Sequence, residues 1–161
     1  MMANQPDQLK RRFLRGQGAS LTELPWLDKS RVFIDDCTRC GKCVDACETK
    51  VIVKGDGGFP TIDFSRGECT FCQQCAIACP EPLFDLSQRS PWQLSATIQE
   101  TCLANQQVYC RSCSEHCDQQ AISFKPGLSA TPEIDLANCS GCGACVAPCP
   151  VSAITVAEHM K

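Results

Sequence analysis

The sequence predicts a small α+β fold in which one unit of short β-hairpins and short helices occurs twice in tandem. Three observations predict it: sixteen cysteines in 161 residues, their recurrence at fixed spacing, and a register in which the segments repeat as pairs. The spacing is the most informative of the three.

Sixteen cysteines in so short a chain point to one of three chemistries: a secreted disulfide scaffold, zinc sites, or iron–sulfur clusters. The compartment decides between them. No segment is apolar for long enough to span a membrane. Lys10, Arg11 and Arg12 with Phe13 and Leu14 could open a twin-arginine signal, but Arg15, Gly16, Gln17 and Gly18 follow and the apolar run never develops. The stretch reads instead as a basic arm over residues 1–30. Without an export signal the thiols stay reduced, which disfavours disulfides. A formal charge of −3 argues against nucleic-acid partners. Aromatic content is low, so the interior is expected to be filled by the cofactor and folding to depend on its insertion.

The first segment reads Cys37-Thr-Arg-Cys40-Gly-Lys-Cys43-Val-Asp-Ala-Cys47. The second reads Cys69-Thr-Phe-Cys72-Gln-Gln-Cys75-Ala-Ile-Ala-Cys79-Pro80, and the last Cys139-Ser-Gly-Cys142-Gly-Ala-Cys145-Val-Ala-Pro-Cys149-Pro150. All three have the C-x₂-C-x₂-C-x₃-C spacing of bacterial two-cluster ferredoxins. The third segment, Cys102 followed by Cys110, Cys113 and Cys117, keeps the later spacings and displaces its first cysteine. Cys110, Cys113 and Cys117 each fall 70 positions after Cys40, Cys43 and Cys47, and Gln107 stands where the regular first cysteine would be. Cys102 is the natural substitute, on a longer loop.

The stretches between segments repeat as well. Val51-Ile52-Val53 corresponds to Ala121-Ile122-Ser123, and Leu83-Phe84-Asp85-Leu86 to Ala153-Ile154-Thr155-Val156. Gly55-Asp56-Gly57-Gly58-Phe59-Pro60 and Lys125-Pro126-Gly127 are turn signals, and Ile62-Asp63-Phe64 and Ile134-Asp135-Leu136 read as second strands. Each unit is thus expected to contain two short hairpins. The expected organisation is a first unit over 31–86, a connector over 87–101 and a second unit over 102–161. Within the connector, Leu94-Ser95-Ala96-Thr97-Ile98 reads as a short amphipathic helix. Trp26 is expected to anchor the incoming chain to the core, and Trp92 to fill the junction between units.

Thiolates are soft ligands suited to iron–sulfur centres, and the short spacings let one curled loop present three of them to one cluster. The fourth cysteine starts a helical turn and, in two-cluster ferredoxins, serves the other cluster. The expected sets are therefore Cys37, Cys40, Cys43 with Cys79, and Cys69, Cys72, Cys75 with Cys47. In the second unit they are Cys139, Cys142, Cys145 with Cys117, and Cys102, Cys110, Cys113 with Cys149. This gives three [4Fe–4S] clusters on regular segments and a fourth on the irregular one. Zinc is the competing assignment, strongest at the irregular segment, where His116 adjoins Cys117; zinc sites, however, usually use two separated C-x₂-C knuckles. His116 otherwise reads as an exposed loop residue, and His159 gives no signal.

The whole chain resembles the NapF family of ferredoxin-type proteins of the periplasmic nitrate reductase system. The resemblance rests on Arg11-Arg12-Phe13-Leu14-Arg15-Gly16, Pro25-Trp26, Ala46-Cys47-Glu48, Cys79-Pro80-Glu81, the displaced Cys102 and the closing Cys149-Pro150-Val151-Ser152-Ala153-Ile154-Thr155. It implies a cytoplasmic accessory protein that assists the catalytic subunit of periplasmic nitrate reductase to acquire its own iron–sulfur cluster before export. The alternative is a ferredoxin-type carrier relaying electrons to a reductase. No nucleophile–base pair or nucleotide-binding glycine loop is present, so no enzymatic activity of its own is expected. Four clusters correspond to about sixteen irons per chain after reconstitution; a plateau near twelve in iron analysis would confine clusters to the regular segments.

Overall fold

The apolar runs between cysteine segments are short, and so are the elements they form. The computed structural model describes residues 24–125 and 131–158. The basic stretch Lys10 to Arg15, the turn at Pro126-Gly127 and His159 lie outside the described residues. In the first unit, Phe33–Asp36 (α1) precedes Cys37, and Lys42–Ala46 (α2) carries Cys43. Ile52–Lys54 (β1) and Pro60–Ile62 (β2) form an antiparallel hairpin with Ile52 opposite Ile62. Its turn is closed by the Gly55 amide donating to the Phe59 carbonyl at 2.7 Å. Proline is tolerated at the first residue of a strand, so β2 begins two residues earlier than Ile62-Asp63-Phe64 suggested. Asp63 instead starts a turn, its carboxylate accepting from the Ser65 amide and hydroxyl. Gln74–Ile77 (α3) then carries Cys75.

The second unit repeats this plan. Leu94–Ile98 (β3) leads into a 3₁₀ turn at Leu103–Gln106, and Ser112–Glu115 (α4) carries Cys113. Ile122–Phe124 (β4) pairs with Pro132–Ile134 (β5), Ile122 opposite Ile134, and Ile154–Glu158 (β6) closes the unit.

Two expectations are corrected. The run Leu94–Ile98 is a strand, not a helix: β3 pairs antiparallel with β6 over five residues, from Leu94 opposite Glu158 to Ile98 opposite Ile154. Five residues are too few for apolar periodicity to separate a helix from a strand. The β-branched pairs Thr97 with Thr155 and Ile98 with Ile154 supply the cross-strand contacts that favour the sheet. Secondly, among the described residues each unit holds one hairpin, not two. The strand after the last cysteine of a unit pairs with chain that precedes the unit's first segment. In the second unit this is the β3–β6 ladder; in the first it is a single bridge between Leu27 and Phe84.

The core has two parts, and cysteines belong to both. Leu24, Val51, Ile52, Phe64 and Trp92 pack with Cys43, Cys47 and Cys75, while Ala96, Ile122 and Ile154 pack with Cys113 and Cys145. Trp92 joins the units. Its ring stands edge-on to Phe64 and Phe71, centroids 6.0 and 5.5 Å away, and its Nε1–H donates to the Ser140 carbonyl at 2.9 Å. Trp26, also buried, meets Phe71 edge-on, and its amide donates to the Pro91 carbonyl at 2.6 Å. The Cys69 amide donates to the Cys142 carbonyl at 2.8 Å, a main-chain link from one unit to the other. Among the described residues no helix is long and apolar enough to cross a membrane.

Close approach of the units depends on Gly143. Its φ is +82°, and a Cβ there would overlap the Phe64 ring. Gly143→Ala therefore combines left-handed strain with overpacking, at a cost of roughly 2 kcal/mol. The expected readout is a fall of about 4–8 °C in the apparent melting midpoint of the loaded protein at fixed scan rate. An unchanged midpoint would show that the units do not depend on this contact.

Candidate metal centres

A stretch of backbone that gathers three side chains onto one object must curl, and the regular segments do so with left-handed residues. Two positions after the first cysteine, Arg39, Phe71 and Gly141 have φ of +56°, +56° and +72°. One position after the second, Gly41, Gln73 and Gly143 have φ of +81°, +64° and +82°. Successive amides alternating between right- and left-handed conformations form a concavity whose N–H groups suit an anionic group, iron–sulfur clusters included. The irregular segment curls differently: Arg111, which follows Cys110, has φ of −136°, and the left-handed residue is Gln107, with φ of +64°, at the end of the 3₁₀ turn after Cys102.

The fourth cysteine of each segment also sits in a repeated setting. Three residues after Cys47, Cys117 and Cys149, the chain turns through Lys50, Gln120 and Ser152 with φ of +57°, +51° and +50°. The corresponding position after Cys79 is Pro82, which fixes φ negative. Four residues after each cysteine stands an almost fully enclosed aliphatic residue: Val51, Leu83, Ala121 and Ala153, 1, 2, 1 and 0 % exposed. The Ala121 amide donates to the Cys117 Sγ at 3.4 Å, and the Ala153 amide to the Cys149 Sγ at 3.2 Å. Sequence reasoning aligns these four positions as strand residues but misses that the Ala121 and Ala153 amides point back at sulfur. The signal available was their constant offset and aliphatic character.

The sixteen cysteines gather around four cavities. Cys37, Cys40, Cys43 and Cys79 line one; Cys47, Cys69, Cys72 and Cys75 line the next. Cys117, Cys139, Cys142 and Cys145 line a third, and Cys102, Cys110, Cys113 and Cys149 the last. The four spaces are alike in size. Each cavity draws three cysteines from one segment and one from its partner segment. Among the described residues, no three His, Cys, Asp or Glu side chains group tightly enough to share a single metal ion. Each group of four sulfurs lines a space of its own, an arrangement that a polynuclear cluster can use. His116 is exposed, with its Nδ1 2.8 Å from the Ser112 carbonyl.

Electrostatics point the same way. Burial pushes the Cys75 and Cys145 thiols up to about 12, with the neighbouring Cys69 and Cys142 sulfurs adding to the effect. Cys43, Cys69 and Cys113 are raised to about 11, again first by burial. At neutral pH these groups are uncharged thiols unless a cation balances the thiolate, which the iron of a cluster does. Cys47 goes the other way: burial raises it, but the Ile52 amide, the Thr49 hydroxyl and the Val51 and Lys50 amides outweigh that and hold it low. Cys40 is exposed and lowered, chiefly by the Lys42 amide. The cavities adjoin in a row. Cys43 acts on Cys75, Cys142 on Cys69, and Cys113 on Cys145.

A family model described as a 4Fe-4S dicluster domain matches residues 36–82 and 108–153. Ferredoxin-type protein NapF of Escherichia coli (strain K12) is 46% identical over 138 residues, 84% of either chain. Its namesake in Haemophilus influenzae is 41% identical over 162 residues, covering 91% of this chain and 92% of the other. Methylamine utilization ferredoxin-type protein MauM of Methylobacillus flagellatus is 30% identical over 140 residues, 74% of this chain and 60% of its own. With the curled loops and the cavities they enclose, these similarities show that the chain belongs to the NapF family of ferredoxin-type iron–sulfur proteins and carries 4Fe-4S clusters.

Proposed function

We propose that each of the four cavities holds one [4Fe–4S] cluster on its four cysteines, and that the chain is a cytoplasmic accessory protein, without catalysis of its own, that helps the catalytic subunit of periplasmic nitrate reductase acquire its cluster before export. One observation carries the ligand reading: four cysteines from two interleaved segments surround each of four spaces of nearly equal size. The irregular segment conforms to this grouping although its loop does not share the regular curl. A bound cluster supplies reversible one-electron chemistry and a form of iron and sulfide that another protein can accept.

The chain's own residues divide the labour. Cys43, Cys75, Cys113 and Cys145 are buried and fix the clusters to the core. Cys40 and Cys72 are exposed, which leaves the first two sites open to thiolates of a client at one ligand each. Sixteen free cysteines fit a reducing compartment, where they are not consumed by disulfides. The NapF relationship supplies the link to nitrate reductase.

The row of adjoining cavities favours a second reading, an electron carrier in which a charge passes along the chain, with the Cys69–Cys142 main-chain link as the crossing between units. The two readings part over the client. In cells lacking this protein, the accessory role predicts a catalytic subunit deficient in iron and cofactor; full occupancy with lost electron flow would leave only the carrier. At the irregular site, Cys102→Ser is expected to lower iron content by about four per chain, one cluster's worth. Undiminished iron in that variant would remove Cys102 from the ligand set.

A further inference from the structure

We infer that the Ser140 hydroxyl donates a hydrogen bond to the cluster enclosed by Cys117, Cys139, Cys142 and Cys145, and so makes that cluster easier to reduce than it would otherwise be. The inference rests on the reading that this cavity holds a cluster.

The residue after the first cysteine of each set lines that set's cavity: Thr38, Thr70, Ser140 and Leu103. Three carry a hydroxyl and the fourth offers none. Thr38 and Thr70 are exposed, so water competes for their hydroxyls. Ser140 differs: the residue is half-buried, and its carbonyl accepts from the indole N–H of the buried Trp92. Its Oγ is closed off from solvent and, among the described residues, is the buried side-chain oxygen or nitrogen with no hydrogen-bond partner.

An unpaired buried hydroxyl costs about 1–3 kcal/mol, and native structures rarely tolerate one. The unmet proton lies at a wall of the cavity, where the acceptors on offer in the loaded protein are cluster or thiolate sulfurs. A serine hydroxyl has one proton to give and can turn it inward. One-electron reduction adds negative charge to those sulfurs, so the bond strengthens in the reduced state while the proton stays on Ser140 Oγ. Donors to sulfur raise cluster potentials by this route. At the irregular site the nearest counterpart is the Ser112 hydroxyl, 3.9 Å from the Cys110 Sγ, a long contact directed at a ligand.

The test uses the full, reconstituted chain and its Ser140→Ala and Ser140→Thr variants, with iron analysis and a redox titration followed by electron paramagnetic resonance. Threonine occupies the equivalent position at 38 and 70, so Ser140→Thr keeps the hydroxyl on a loop that accepts it. Ser140→Ala should retain wild-type iron yet make one cluster roughly tenfold harder to reduce at a fixed potential, taking the effect as one charge-assisted hydrogen bond. For a one-electron couple that is about 59 mV. The other midpoints should hold, and Ser140→Thr should stay with the wild type. Identical midpoints in Ser140→Ala at full iron would overturn the inference while leaving the cluster assignment intact. Loss of about four irons in that variant alone would also overturn it, by making the hydroxyl necessary for retention. A wild-type chain with too little iron for this site would defeat the cluster assignment itself.

Discussion

A thiol buried beside other thiols is hard to ionise, and each of the four cysteine groups in this chain holds at least one buried thiol. Cys75 and Cys145, raised to about 12, illustrate the constraint: each lies in the core and has sulfur for a neighbour. Such an interior is poor in ordinary packing. Val51, Ile52 and Ile122 belong to the core and also line the cavities. Clusters in these spaces supply both the charge that balances the thiolates and volume against the walls, which couples their binding to folding. The short hairpins and single-turn helices follow from this, because each has only to span the distance between two ligand loops.

The two units are held together by surfaces that leave no room for an extra carbon. Gly143 lies on the Phe64 ring, Trp92 spans from Phe71 to the Ser140 carbonyl, and the Cys69 amide reaches the Cys142 carbonyl. All of these contacts surround the second and third cavities. These contacts join the units between the second and third cavities, whereas Cys40 and Cys72, which line the first and second cavities, stand in solvent.

Much of this is legible in the residues. Three regular spacings and one displaced cysteine identify the candidate ligands, and the 70-residue register implies the interleaved groups that line the cavities. The legible part is the part written in cysteine, whose spacing reports geometry directly. Leu94–Ile98 passes for a helix because five residues do not define a period, and its partner β6 lies more than fifty residues away. The left-handed Arg39, Phe71 and Gln73 are invisible because these residue types carry no signal for positive φ. The loop geometry imposes that conformation, and the surrounding contacts must hold it against its intrinsic cost. Ser140 looks like any small loop residue until its hydroxyl is seen to be enclosed without a partner.

The interleaving of segments has a consequence for how such chains arise. Each cavity borrows one wall from the neighbouring segment, so deleting residues 37–47 would strip sulfur from two cavities at once, as would deleting 69–79. A single segment is thus not a viable increment for evolution, and ancestry should proceed by copying pairs. The irregular segment records the latitude within that rule: its first cysteine stands at position 102 and still lines the cavity shared by Cys110, Cys113 and Cys149.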